Sequence, residues 1–241
     1  MRAVICGANG VMGKLMQAQL GDEAIGLVSL DGENGVAKTF AELPACNADV
    51  VIDFSHHSAV GDVLSYAKRN CCCAVICATG HTDEEKAQIA QYAKTIPVFY
   101  SGNMSVGIAV LCRLAKQAAA VFVDADIEIV ETHHNRKVDA PSGTAKMLFE
   151  AVKSVRPEAT EKCGRAGEGK RTASEIGISS LRMGNVVGIH EVHICTPSQT
   201  LTLRHEAHDR TMFADGAAAA AQYLIGKAPG LYTMEDLLEE C

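Results

Sequence analysis

Residues 2–13, RAVICGANGVMG, decide how the fold is read. The apolar run 2–6 has the length of a short buried strand, and it leads into glycines 7, 10 and 13, spaced G-x-x-G-x-x-G, and then a helical pattern over 12–20. Glycines in such a turn allow a tight reversal and let the main chain at the following helix start approach a pyrophosphate, so the segment reads as the opening of a nucleotide-binding βαβ unit. The pattern continues outward from it. Strands are expected at 25–30, 50–53, 74–78 and 97–100, with helices at about 58–68 and 83–94, and Thr82 with Glu85 makes a capping box for the latter. Alternating strands and helices of this kind imply an α/β fold with a doubly wound parallel sheet.

After Ser105 the pattern changes. An alanine-rich helix to about Val121 leads into a strand where Ile127 to Val130 alternate with acids, then a polar loop over 156–174, and three successive strands near 175–182, 190–195 and 200–207. Such adjacency suggests a mixed or antiparallel second sheet. A last apolar helix over 211–225 is too rich in alanine to stand alone, and the run 217–221 is simply a good helix former.

Composition narrows the function classes. With 48% hydrophobic and 21% charged residues the chain is an ordinary globular one, and no apolar run approaches the roughly 20 residues that span a membrane. A net charge of −7 argues against a dedicated nucleic-acid binder. Because the chain opens directly on strand and turn, no targeting peptide is expected and the location expected is cytoplasmic. The ten cysteines fall mostly in apolar strand-like runs (Cys6, Cys77, Cys195) and read as reduced, with Cys71-Cys72-Cys73 read as small apolar residues entering a strand. Residues 136–182 invert the overall sign, with ten Lys/Arg against six Asp/Glu, which would suit an anionic substrate as well as a solvated surface.

The chemistry concentrates in 128–145, EIVETHHNRKVDAPSGTA. His133, His134 and Lys137 are expected on the loop that ends the strand, Pro141 stops any extension, and Ser142-Gly143-Thr144 supply an N-cap, a residue without a side chain, and a hydroxyl at a helix start suited to a carboxylate. Paired histidines raise a zinc reading, but neighbouring strand residues point apart and no H-E-x-x-H pattern is present, so no metal is expected.

This stretch resembles the signature of dihydrodipicolinate reductases, E-x-H-H-x-x-K-x-D-A-P-S-G-T-A, at every fixed position from Glu131 to Ala145. A second run, 180–190, resembles the family's S-L-R-x-G-x-x-V-G-x-H. The resemblance implies an N-terminal Rossmann-type domain made of 1–104 and 212–241, and a smaller α+β domain, 105–211, that binds substrate and builds a homotetramer through a mixed sheet. It implies reduction of 4-hydroxy-tetrahydrodipicolinate, a small dicarboxylate, by NADH or NADPH on the diaminopimelate route to lysine. His133 is then the acid/base, Lys137 the proton donor, and His134, Gly143 and Thr144 hold the substrate; Arg182 and His190 are left to support the loop or subunit contacts. The cofactor would lie on Gly7, Ala8, Asn9, Gly10, Val11, Met12 and Asp31, on the turn Cys77-Ala78-Thr79, similar to the family's G-T-T-G, and on Ser101-Gly102-Asn103-Met104. Asp53-Phe54-Ser55 is similar to its D-F-T/S. Asp31, about 20 residues past the glycine turn, would accept from ribose hydroxyls and repel a 2′-phosphate. With Val11 in place of the family's arginine and Gly32 following Asp31, NADH is favoured, although Lys14 or Lys38 would oppose that. Alternatives from other classes are another two-domain nicotinamide dehydrogenase, which would share the glycine turn but not the histidine–lysine signature, and a non-catalytic nucleotide sensor, which would lack the acid/base residues.

Overall fold

The computed structural model describes residues 1–44 and 46–240. In chain order its elements are β1 (Ala3–Cys6), α1 (Val11–Leu20), β2 (Ala24–Val28), β3 (Val50–Asp53), α2 (Val60–Arg69), β4 (Cys73–Ile76), α3 (Asp83–Ala93), β5 (Pro97–Tyr100), α4 (Val106–Val121), β6 (Asp126–His133), α5 (Gly143–Lys153), β7 (Thr160–Cys163), β8 (Glu175–Arg182), β9 (Gly188–Thr196), β10 (Gln199–Ala207), α6 (Thr211–Leu224), β11 (Gly230–Tyr232) and α7 (Met234–Glu239). They form two compact units, Met1–Ser105 with Thr211–Cys241, and Val106–Arg210.

The first unit is built on a six-stranded parallel sheet in the order β11-β5-β4-β3-β1-β2. Every residue of β1, β3 and β4 is buried, as expected for parallel strands covered on both faces. The chain leaves β1 for β2 on one side and β3 lies on the other, so the carboxyl end of β1 is the topological switch point where ligands bind in such sheets. Thr82 and Glu85 form the expected capping box at the start of α3. On α6, Ala217, Ala220 and Ala221 are fully buried, and small side chains there let the helix lie close to its neighbours. Gly216 shows how close, since a Cβ at that position would fall 1.6 Å from the Met104 carbonyl oxygen.

The second unit is a five-stranded mixed sheet in the order β10-β9-β6-β8-β7, with β6 antiparallel to β9 and parallel to β8. Helices α4 and α5 bury Ile108, Leu111, Leu148 and Phe149 with Ile127 and Ile129 of β6 in one apolar core. Arg156, only 9% exposed, closes the end of α4 by donating to the carbonyls of Ala119, Phe122 and Ala125. Donating to several carbonyls is how a buried guanidinium stays satisfied. Strand β7 lies inside the segment expected to be a loop, because all four of its residues are exposed and polar or small, which leaves no alternation for a sequence reading to detect.

Candidate active site

The glycine turn has the geometry its spacing suggested. Gly7 has φ +80°, and a Cβ on it would stand 2.6 Å from the Phe54 carbonyl oxygen. A Cβ on Gly13 would stand 2.2 Å from the Gly7 oxygen, so α1 begins in direct contact with the turn. Main-chain bonds from Gly7 and Ala8 to the Val28 oxygen (2.8 and 3.0 Å) and from Phe54 to the Cys6 oxygen (2.9 Å) tie the turn to both neighbouring strand ends. A cavity of about 340 Å³ opens beside it, lined by Gly7, Val28, Ser29, Lys38, Phe40 and Ser55 among others. Its apolar walls carry the polar side chains of Ser29, Lys38, Thr39, Ser55, Asp62 and Arg69, a mixture that suits part of a cofactor.

Asp31 lies three residues past the end of β2 rather than at its tip. Its exposed carboxylate accepts from Asn9 Nδ2 and from the Glu33 amide (3.3 Å), and the Asn9 bond above all holds its carboxyl below the usual range. Lys38 packs alongside, since a Cβ at Gly32 would meet its Cγ at 2.5 Å. Gly10 and Val11 are exposed, Ala8 is buried and Met12 half-buried. Asp53 is fully buried, and burial pushes its carboxyl up while its Oδ1 accepts from the Ser55 amide at 2.9 Å. Thr79 and Gly102 are exposed at the ends of their strands, whereas the side chains of Cys77, Ala78 and Met104 are packed in the interior. The Cys77 thiol is pushed well up by burial, which makes it inert. Ser101 Oγ donates to the Asn103 oxygen (2.7 Å) and Asn103 Oδ1 accepts from the Ser105 amide (2.9 Å), fixing the turn that follows β5.

In the second unit β6 extends through His133, so this histidine is the last strand residue and not part of the loop. Alternation along β6 puts Ile127, Ile129, Glu131 and His133 on the buried face. Glu131 has no exposed surface, so its carboxylate must be fully partnered. Its Oε1 accepts from Arg182 Nη2 (2.7 Å) and the Ser142 amide (3.1 Å), and its Oε2 from Arg182 Nη1 (2.9 Å) and His133 Nδ1. Burial alone would raise the Glu131 carboxyl, but the bonds from His133 and Arg182 outweigh it and hold the group well below the usual carboxylate range. His190, opposite Glu131 in the β6–β9 pairing, bonds Ser142 Oγ (3.2 Å) and meets the His133 ring edge-on at 5.0 Å between centroids. Burial chiefly, then the neighbouring His133, pulls the His190 pKa down to about 3.

Glu131, His133 and His190 cluster as metal ligands can. Yet the Arg182 guanidinium already bonds both Glu131 oxygens, which opposes a second cation there.

The remaining site residues follow in order along the chain. His134 is half-buried, and burial, helped by Arg136, lowers its pKa so that it is a neutral donor. Lys137 Nζ pairs with Asp139 at 2.8 Å. Ser142 caps α5 by accepting from the Ala145 amide at 3.2 Å, and Gly143 at the helix start faces open space, with nothing within 4 Å of where a Cβ would stand. Thr144, half-buried, follows in the first turn of α5. Four of the ten cations of 136–182 are paired with carboxylates: Arg165 with Glu175, Arg171 with Asp126 and Glu128, Arg182 with Glu131 and Lys137 with Asp139. Arg136, Lys146, Lys162 and Lys170 of the same segment are exposed.

Sequence reasoning passed over Glu131 and the partners of the two residues it left in supporting roles, Glu131 for Arg182 and Ser142 for His190. The signal was present in the period-two pattern, which puts Glu131 on the same face as two isoleucines, and a buried carboxylate demands partners.

Fold and site together define a two-unit α/β protein whose first unit carries a dinucleotide-binding turn and whose second carries a histidine–lysine constellation beside a helix N-terminus. The chain belongs to the dihydrodipicolinate reductase family: the family's N-terminal model matches residues 1–104 and its C-terminal model residues 107–238. Among similar proteins, the 4-hydroxy-tetrahydrodipicolinate reductase of Caldanaerobacter subterraneus subsp. tengcongensis is 43% identical over 252 residues, covering 100% of this chain and 99% of that one. That of Clostridium novyi is 39% identical over 247 residues, covering 99% and 98%. The dipicolinate-bound dihydrodipicolinate reductase from Paenisporosarcina sp. TG-14 matches with a TM-score of 0.76 at 25% identity over 97% of each chain. A probable dehydrogenase from Thermotoga maritima, 11% identical with a TM-score of 0.64 over 98% of this chain and 92% of that chain, shares the fold alone.

Proposed function

We propose that this chain catalyses the reduction of 4-hydroxy-tetrahydrodipicolinate to tetrahydrodipicolinate with a reduced nicotinamide dinucleotide, in the diaminopimelate route to lysine. The observation that carries this reading is the stretch Glu131–Ala145, where every fixed position of the family signature is kept and the residues form a strand end, a loop and a capped helix start. Gly7, Gly10 and Gly13 would hold the pyrophosphate: a Cβ at Gly7 or Gly13 would strike neighbouring main chain, so glycine there is what lets the turn close tightly against the start of α1. Bound there, the cofactor supplies the hydride.

The chain's own residues bind a dicarboxylate ring and manage its proton. His134, Lys137 and the α5 start at Gly143 and Thr144 receive the carboxylates through charge-assisted hydrogen bonds. Loss of the 4-hydroxyl as water turns the substrate into a conjugated imine, and hydride addition to that leaves an electron-rich enamine, which needs a proton. Lys137 donates it, and His133, whose ring is fixed by Glu131, serves as acid/base. Asp31 favours NADH, because an ionised carboxylate disfavours a neighbouring 2′-phosphate, and the exposed Val11 offers no compensating charge. Lys38 beside Gly32 works in the opposite sense and limits that preference.

The test is steady-state oxidation of NADH and, separately, NADPH, with the substrate generated in situ from aspartate semialdehyde and pyruvate. Turnover dependent on that substrate, with a larger kcat/KM for NADH and a preference relaxed in Asp31→Ser, is the expected result. Nucleotide binding without turnover would instead favour a non-catalytic sensor.

A further inference from the structure

We propose that Glu131 and Arg182 are positioning residues that act as a tautomer lock on His133, and that the same carboxylate fixes the start of α5. The inference rests on His133 being the acid/base. Glu131 is kept ionised in the interior, so His133 Nδ1 must carry a proton and donate it to Oε2. The nitrogen left to exchange a proton with a ligand is then Nε2. A Cβ at residue 188 would stand 3.1 Å from that atom, and glycine there keeps it uncovered. Which ring nitrogen is protonated follows from the bond the other one makes, so the lock decides where the site's proton can be.

Arg182 makes the lock rigid. Its guanidinium forks onto both Glu131 oxygens, at 2.7 and 2.9 Å, and donates at 2.6 Å to the Asp139 carbonyl in the loop that carries Lys137. Glu131 Oε1 also accepts from the Ser142 amide, one residue before the helix start. One buried carboxylate therefore sets the orientation of the imidazole and anchors the N-cap of α5, and the arginine prevents it from rotating between those tasks.

The four donors make the effect of Glu131→Gln predictable. If the new amide nitrogen took the Oε1 position it would face two donors that cannot change, the Ser142 N–H and Arg182 Nη2. In the Oε2 position it faces Arg182 Nη1 and His133, and His133 can change by moving its proton to Nε2. The glutamine would thus keep the helix anchor and invert the tautomer. Neutral His133 would then have no lone pair at Nε2, and a proton on Nδ1 would be set against the glutamine N–H. Shape and helix start survive, but proton exchange at Nε2 does not.

The experiment compares wild type, Glu131→Gln and His133→Gln in kcat, KM and long-range ¹H–¹⁵N imidazole spectra, with the His133→Gln spectrum assigning the His133 signals. The expected result is an Nδ1–H tautomer for neutral His133 in wild type, an Nε2–H tautomer in Glu131→Gln, and a kcat lowered by about 10²–10⁴-fold, the range of general acid–base catalysis, at near-wild-type KM. Wild-type kcat in Glu131→Gln, or an Nε2–H tautomer in the wild-type spectrum, overturns the lock; the second reading does not depend on Glu131→Gln folding. Wild-type turnover in His133→Gln overturns the acid/base assignment instead, so the two failures are distinguishable.

Discussion

His190 should make the stability of this protein fall between pH 7.5 and 5, by an amount that follows from its burial. The side chain is 4% exposed, its pKa is lowered to about 3, and its Nδ1 has no hydrogen-bond partner among the described residues. Protonation in the folded state would therefore put an unpartnered N–H⁺ into the interior beside His133. In the unfolded chain the same imidazole titrates near 6.5, so below that pH the unfolded state holds more protons and stability declines as pH falls toward 3. At about 1.4 kcal/mol per pH unit the loss from this one group reaches about 2 kcal/mol at pH 5, or roughly 4–8 °C in Tm for a chain of this length. Glu131 does not confuse that window. Its folded pKa is depressed, so its contribution is complete above its unfolded value near 4.5 and is lost only at lower pH. The assay is thermal unfolding by far-ultraviolet circular dichroism at pH 7.5 and 5 for wild type and His190→Gln, whose amide reaches toward Ser142 without titrating. Histidines that do not touch His190 contribute equally to both proteins and cancel in the difference. The variant should lose about 2 kcal/mol less than wild type over this interval. Parallel pH profiles would refute the reasoning, since they would mean that His190 enters the folded state as readily charged as neutral.

Lys137→Ala should lower kcat by about 10²–10⁴-fold while leaving NADH affinity near wild type, because the lysine belongs to the second unit's site and the glycine turn to the first; nucleotide titration alongside steady-state kinetics checks both halves. Gly13→Ala should do the reverse. Its Cβ would meet two main-chain neighbours, the Gly7 oxygen at 2.2 Å and Ala8 Cα at 2.7 Å, so α1 has to move away from the turn at about 1–3 kcal/mol, seen as a lowered Tm and an NADH affinity reduced by about tenfold or more. Unchanged NADH binding would argue that the pyrophosphate does not depend on this contact.

The first unit was largely legible because its signals are local. Four-residue apolar strands, three glycines at fixed spacing and the Thr82–Glu85 box each act within a few residues, and the structure has β1, the turn, α1 and the capping box where the pattern suggested. The tiny strand β11 was not legible, since Gly230–Tyr232 pairs with Pro97–Phe99 from far along the chain and has no pattern of its own. The same contrast holds in the site. His133, His134, Lys137 and the α5 N-cap lie together in sequence and could be recognised as one group. Arg182 reaches Glu131 across 51 residues, and His190 reaches Ser142 across 48, so their partnership depends on the register of β6 with β8 and β9. What local pattern did contain, and a reading by residue type missed, was the inward face of Glu131.

That pairing also bears on how a dianion is held. Arg165, Arg171 and Arg182 are committed to carboxylates of the second unit, so these three cations of 136–182 are not available to a ligand. On the proposed function, recognition would fall to groups that can be released or are already open: the α5 start at Gly143, His134, and Lys137. Lys137 is the informative case because it too is paired, with Asp139 at 2.8 Å. The Asp139 side chain is 57% exposed, and an ion pair with such a partner is worth only about 0–1 kcal/mol. Exchanging Asp139 for a substrate carboxylate therefore costs little, whereas pulling Arg182 from the buried Glu131 would leave a charge unpartnered at about 3–5 kcal/mol. The two cations meet at one loop, Arg182 from the end of β8 and Lys137 from the loop itself, and on the proposed function burial would divide their duties: the arginine fixes the site, and the lysine can exchange its exposed partner for the ligand.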